Sequence, residues 1–157
     1  MPAAYLDSNA TTPVDPRVAE VVVRYLTEEF GNAGSRTHGW GAEAARVVER
    51  GRELIAAAVA AKPDEVILTS GATEANNLAI LGLAEYGISE GRTHVITTAI
   101  EHKAVLEPIE YLVKHRGFDV SVLPVDGRGW PVADSLAEAL RPETLLVSTM
   151  HVNNETG

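Results

Sequence analysis

The sequence contains no cysteine, which excludes disulfides, thiolate metal sites and cysteine nucleophiles among these residues, and no metal site is expected. Long apolar runs are also missing. Leu54–Ala61, one of the longest, falls far short of the roughly 20 residues that a membrane-spanning helix needs, so no membrane segment is expected. The start, Met-Pro-Ala-Ala-Tyr-Leu-Asp, has no basic segment followed by an apolar stretch, so no secretory signal is expected and the cytoplasm is the default location. Positive charge is scarce: 13 lysines and arginines stand against 22 aspartates and glutamates. The resulting formal net charge of -9 disfavours a broad grip on a phosphate backbone, and direct nucleic-acid binding is not expected. Lys62, Lys103 and Lys114 are the only lysines, and by themselves they read as solvated surface residues. Neither the dinucleotide-binding glycine pattern nor a nucleotide loop ending in Gly-Lys-Ser/Thr occurs.

What is present suffices for a folded core. At 157 residues, 45% of them apolar, the chain has the size to bury roughly two-thirds of its unfolded surface in one domain. Asp15-Pro16 supplies a cap followed by proline at the first helical position, and Val18, Val21, Val22, Tyr25 and Leu26 recur at helical spacing, predicting a helix over 16–29. The glycine-rich stretch Phe30–Gly39 reads as a loop, and an alanine-rich helix is expected over 41–60. From Glu65 onward short apolar runs alternate with helical stretches. Val66–Thr69, His94–Thr98, Val120–Leu123 and Leu145–Thr149 are expected as strands, with helices over 73–86, 102–115 and 133–140 between them. The class that follows is α/β, with a mostly parallel sheet flanked by helices. Asp126-Gly-Arg-Gly-Trp130 carries turn chemistry. The residues stop just after the last expected strand, leaving its edge uncovered, and a fragment of a longer protein is expected.

Three places combine position with chemistry. Ser70-Gly71-Ala72-Thr73 lies between a strand and a helix start, where backbone N–H groups and the Thr73 hydroxyl can hold a single phosphate; the bland alternative is a plain helix cap with Ser70 as the capping residue. His102 follows the strand His94–Thr98 at its carboxyl end, where open α/β sheets bind ligands. Its imidazole can stack on a flat ring and move protons, or it can be a surface histidine beside Glu101 and Lys103. Asn153-Asn154-Glu155 follows the last strand, where one asparagine can donate a neutral hydrogen bond or simply form a turn. Convergence on one sheet edge raises all three.

Five motifs occur in order: Tyr5-Leu-Asp-Ser-Asn-Ala-Thr-Thr-Pro13, Phe30-Gly-Asn-Ala-Gly-Ser35, Thr69-Ser-Gly-Ala-Thr-Glu74, Glu101-His-Lys-Ala-Val105 and Met150-His-Val-Asn-Asn-Glu155. Together, over essentially the whole chain, they resemble the cysteine desulfurases. The resemblance implies a homodimeric fold-type I pyridoxal-phosphate enzyme that takes sulfur from L-cysteine, leaves alanine, and hands a persulfide to sulfur-acceptor proteins. It further implies an N-terminal active-site arm over 1–15 and, over 16–157, the N-terminal part of an incomplete cofactor-binding large domain. Carried over position by position, Ala72 and Thr73 match the phosphate-binding turn. His102 matches the catalytic histidine stacked on the cofactor ring, and Asn154 matches the asparagine near the ring's phenolic oxygen. The family's Schiff-base lysine, pyridine-paired aspartate, substrate-binding arginine and nucleophilic cysteine have no match here, so these residues alone are expected to be inactive. Phe30–Arg36, Ala99–Leu106 and the final Asn-Asn-Glu-Thr-Gly resemble most the branch serving DNA phosphorothioation, while iron–sulfur cluster suppliers share nearly the same motifs.

Two rivals stand beside this reading. One is another member of the superfamily, such as a selenocysteine lyase or a small aminotransferase. The other is a truncated, non-catalytic regulator of a full-length desulfurase.

Overall fold

The computed structural model describes residues 4–132 and 134–157. The first three residues of the expected N-terminal arm and the first residue of the helix expected over 133–140 lie outside the described residues. The chain divides into two compact units, Met1–Leu68 and Thr69–Gly157.

In the first unit, α1 spans Pro16–Thr27 and starts where the sequence predicts. The Asp15 carboxylate accepts the Arg17 N–H at 2.8 Å and also pairs with the Arg17 guanidinium, and Pro16 occupies the first position, where a missing N–H costs nothing. Helix α2 spans Gly39–Ala58, with His38 as its cap: Nδ1 accepts the Gly41 N–H at 3.1 Å, and Nε2 lies 3.0 Å from the Ser35 hydroxyl. Gly41 permits this entry, because a Cβ there would sit 2.2 Å from the Ser35 carbonyl oxygen. A 3-10 turn, Pro63–Glu65, follows α2, and the Arg52 guanidinium donates to the Val66 carbonyl.

The strand expected at Val66–Thr69 does not form. A strand exists by pairing with another segment, and this run finds no partner among the described residues; Ile67 and Leu68 are accordingly exposed.

The second unit holds α3 (Ala72–Gly82), α4 (Ala84–Ser89), β1 (His94–Thr98), α5 (Lys103–Arg116), β2 (Asp119–Leu123), α6 (Ser135–Ala139) and β3 (Thr144–Ser148). The expected helix over 73–86 is thus two pieces. The three strands form a parallel sheet in the order β2-β1-β3, with His94 opposite both Asp119 and Thr144. All five residues of the central β1 are buried, while β2 and β3 at the edges are only partly covered. Val95 packs with Ile80 and Ala84 before it and with Val105, Ile109, Leu112 and Phe118 after it, so the core lies between the sheet and α3, α4 and α5. Gly117, at φ 72°, closes α5 in the left-handed conformation that glycine adopts without strain. The Asp126–Trp130 turn forms as expected: the Asp126 carboxylate accepts the Arg128 and Trp130 N–H groups at 2.8 and 3.0 Å.

His94 ties the sheet together at its amino end. It is 1% exposed, with Nδ1 2.8 Å from the Thr144 hydroxyl and Nε2 2.9 Å from the Ser121 hydroxyl. Burial pushes its pKa below the ordinary 6.5, the Arg141 charge adds to that, and Asp119 and Glu143 oppose it. Because the folded value lies below the unfolded one, the stabilisation is fully present above pH 6.5 and is lost as pH falls through the folded value. The lowered carboxylates, such as Asp119 and Glu110, titrate below their ordinary 3.8 and 4.5, outside that window. Urea midpoints measured between about pH 7 and pH 5 are therefore expected to fall for the natural chain and to flatten for His94→Gln. Equal slopes for the two proteins count against the effect.

Candidate active site

All four residues singled out from the sequence belong to the second unit. Ala72 and Thr73 open α3, whose N-cap is Gly71. Ser70 does not cap this helix. Its N–H and hydroxyl both donate to the Glu74 carboxylate at 2.6 Å, and Gly71, the N-cap, has no side chain to offer the first-turn N–H groups. The same donors hold the Glu74 carboxyl below its ordinary pKa. Thr73 also does not follow a paired strand, which corrects the expectation that all three segments sit at strand ends. Asn77 Nδ2 donates to the Thr73 carbonyl at 2.9 Å. Thr73 lines a shallow groove of about 220 Å³ with Asn77, Ala104, Glu107, Pro108 and Tyr111.

His102 follows β1 at its carboxyl end and caps α5, its Nδ1 accepting the Ala104 N–H at 3.1 Å. The side chain is exposed, as the surface-histidine reading expects, and it stands at the carboxyl end of β1, where the functional reading needs it. With Nδ1 accepting in the cap bond, Nε2 is the ring nitrogen left for other contacts. Ala104, two residues on, lines the Thr73 groove, which brings the starts of α3 and α5 together.

Asn154 is exposed in the turn after β3, with Nδ2 3.0 Å from the Glu155 carboxylate. Its neighbour Asn153 is buried and organises that turn. Asn153 Oδ1 accepts the N–H groups of Glu155 and Thr156 at 2.7 and 2.9 Å, and Nδ2 donates to the Ile100 carbonyl at 2.9 Å. A cavity of about 370 Å³ at the carboxyl ends of β1 and β3 is lined by Thr98, Ile100, Trp130, Met150, Asn153 and Thr156 among others; His102 and Asn154 do not line it. Among the described residues no group of three histidine or acidic side chains is arranged to hold a metal ion.

Sequence reasoning missed Glu101. Its carboxylate is buried, and Oε1 accepts both the Thr98 hydroxyl at 3.2 Å and the Met150 N–H at 2.6 Å. Its place at the head of the Glu101–Val105 motif, beside His102, was the available signal, since burial of a glutamate depends on a loop 49 residues away.

The chain is 50% identical over 153 residues to the cysteine desulfurase IscS of Methylococcus capsulatus, covering 98% of this chain and 38% of that protein. Among solved structures, DndA from Streptomyces lividans matches with a TM-score of 0.84 and 60% identity, over 98% of this chain and 42% of that one. SspA in complex with cysteine matches with a TM-score of 0.89 and 39% identity, over 98% of this chain and 43% of that one. The chain thus spans about two-fifths of the length of these relatives. The Aminotransferase class-V model matches residues 4–157, and the chain belongs to the class-V aminotransferase family.

Proposed function

We propose that these residues are part of a pyridoxal-phosphate-dependent cysteine desulfurase, which takes sulfur from L-cysteine, leaves L-alanine and passes a persulfide to acceptor proteins. The observation that carries this reading is agreement over 98% of the chain with proteins named cysteine desulfurases, at 50% identity for the IscS relative. The same architecture is shared with a chain solved in complex with cysteine.

The residues present fit the cofactor. Gly71 has no atom within 4 Å of where a Cβ would stand, leaving room at the start of α3 for a phosphate. First-turn N–H groups have no partner within their own helix, so those of Ala72 and Thr73, with the Thr73 hydroxyl, hold the phosphate. When bound, pyridoxal phosphate supplies an electron sink next to the amino acid's α-carbon. His102 stacks on its ring. With Nδ1 committed to the Ala104 N–H, the imidazole keeps a fixed orientation and has Nε2 for holding or moving a proton. Asn154 donates an uncharged hydrogen bond to the ring oxygen. The covalent lysine anchor and the persulfide-forming cysteine come from outside these residues.

Sulfur supply for DNA phosphorothioation is the client pathway we infer, on the 60% identity with DndA. The whole protein acts as a cytoplasmic homodimer, and residues 16–157 belong to its cofactor-binding large domain. The test is to express the reading frame continued past Gly157 and supply L-cysteine. Alanine and protein-bound persulfide in equal amounts are expected. Alanine released only from L-selenocysteine makes the protein a lyase of that class instead, and no release from either overturns the enzyme reading.

A further inference from the structure

We propose that Glu101 is a positioning residue that sets the spacing between His102 and Asn154 by tying the loop after β1 to the loop after β3. The inference rests on the reading of those two residues as cofactor contacts. One carboxylate oxygen does the tying. Oε1 accepts the hydroxyl of Thr98, the last residue of β1, and the backbone N–H of Met150, just beyond β3. Thr98 is 2% exposed and Glu101 9%, so water competes little for either bond. A second tie runs the opposite way, from the Asn153 amide to the Ile100 carbonyl. The immediate neighbours of His102 and Asn154, Glu101 and Asn153, thus each reach across to the other loop. Both functional side chains are themselves exposed and sit on the two loops that these ties join, so the ties bear directly on their relative placement.

The geometry requires an acceptor at a given reach. In the longer protein carrying these residues, Glu101→Gln keeps an oxygen at the same distance and is expected to retain cofactor affinity. Glu101→Ala removes the acceptor, and Glu101→Asp keeps the charge but draws the oxygen back by one methylene. Both are expected to weaken pyridoxal-phosphate affinity of the cofactor-free protein by about tenfold and to speed hydrogen exchange of the Met150 amide by a similar factor. Should the alanine variant fail to fold, the aspartate variant carries the same reading. Unchanged Met150 exchange and unchanged affinity in the folded variant overturn the inference, as does a glutamine variant that behaves like alanine. His102→Ala and Asn154→Ala, assayed alongside, separate the two claims. If these bind the cofactor normally, the site reading fails; if they bind it weakly while Glu101→Asp binds it normally, only the positioning role fails.

Discussion

Replacing His102 with alanine in the longer protein is expected to lower alanine release from L-cysteine by about a hundredfold or more, the scale on which a positioned acid or base contributes. The same substitution removes the cap of α5, because Nδ1 is the acceptor for the Ala104 N–H, and loss of such a cap costs about 1 kcal/mol of stability. Turnover and folding therefore both move, and one variant does not separate them. His102→Asn does: asparagine is among the best capping residues and restores the acceptor, yet it has no ring to stack and no imidazole proton to shuttle. A melting curve and a turnover assay on the same sample of each variant check this. Stability recovered by asparagine with turnover still low assigns His102 to the reaction. Recovery of both by asparagine reduces the residue to a helix cap.

The 157-residue chain made alone is expected to release no sulfide from L-cysteine and to form no specific covalent adduct with pyridoxal phosphate. Among its residues there is no cysteine to carry a persulfide, and its three lysines fall outside the family motif that anchors the cofactor. Lys114 pairs with Glu110 at 2.6 Å on the surface of α5, and Lys103 is exposed at the start of that helix. Both can react slowly with an aldehyde, so the informative experiment reduces the adduct, maps the modified peptide and measures sulfide with cysteine in excess. Specific labelling of Lys103 together with sulfide release would contradict the expectation and assign the chemistry to an unfamiliar route.

The sequence by itself determined whatever depends on neighbours a few residues apart. Asp15-Pro16 starts α1 because a carboxylate two residues from a backbone N–H and a proline with its φ preset are local facts. β1 falls on His94–Thr98 as read, and β2 and β3 each lie within one residue of their expected ranges, since alternating and β-branched runs bounded by turn residues carry that information locally. The ordered motifs likewise identify the family and the candidate residues Ala72, Thr73, His102 and Asn154 without any coordinates.

Only the tertiary structure decided which segments pair and which polar groups become buried. Val66–Thr69 has strand composition and stays unpaired, because pairing is a property of two segments and its own composition names no partner. Ser70 reads as the cap of α3, yet its N–H and hydroxyl donate to the Glu74 carboxylate four residues on and Gly71 stands at the N-cap. His94 reads as one more strand residue until Ser121 and Thr144, 27 and 50 residues away, meet its two nitrogens. Glu101 and Asn153 become structural ties only when loops 49 and 53 residues apart in the chain come within hydrogen-bond reach, and the parallel alignment of β1 and β3 brings those loops to the same end of the sheet.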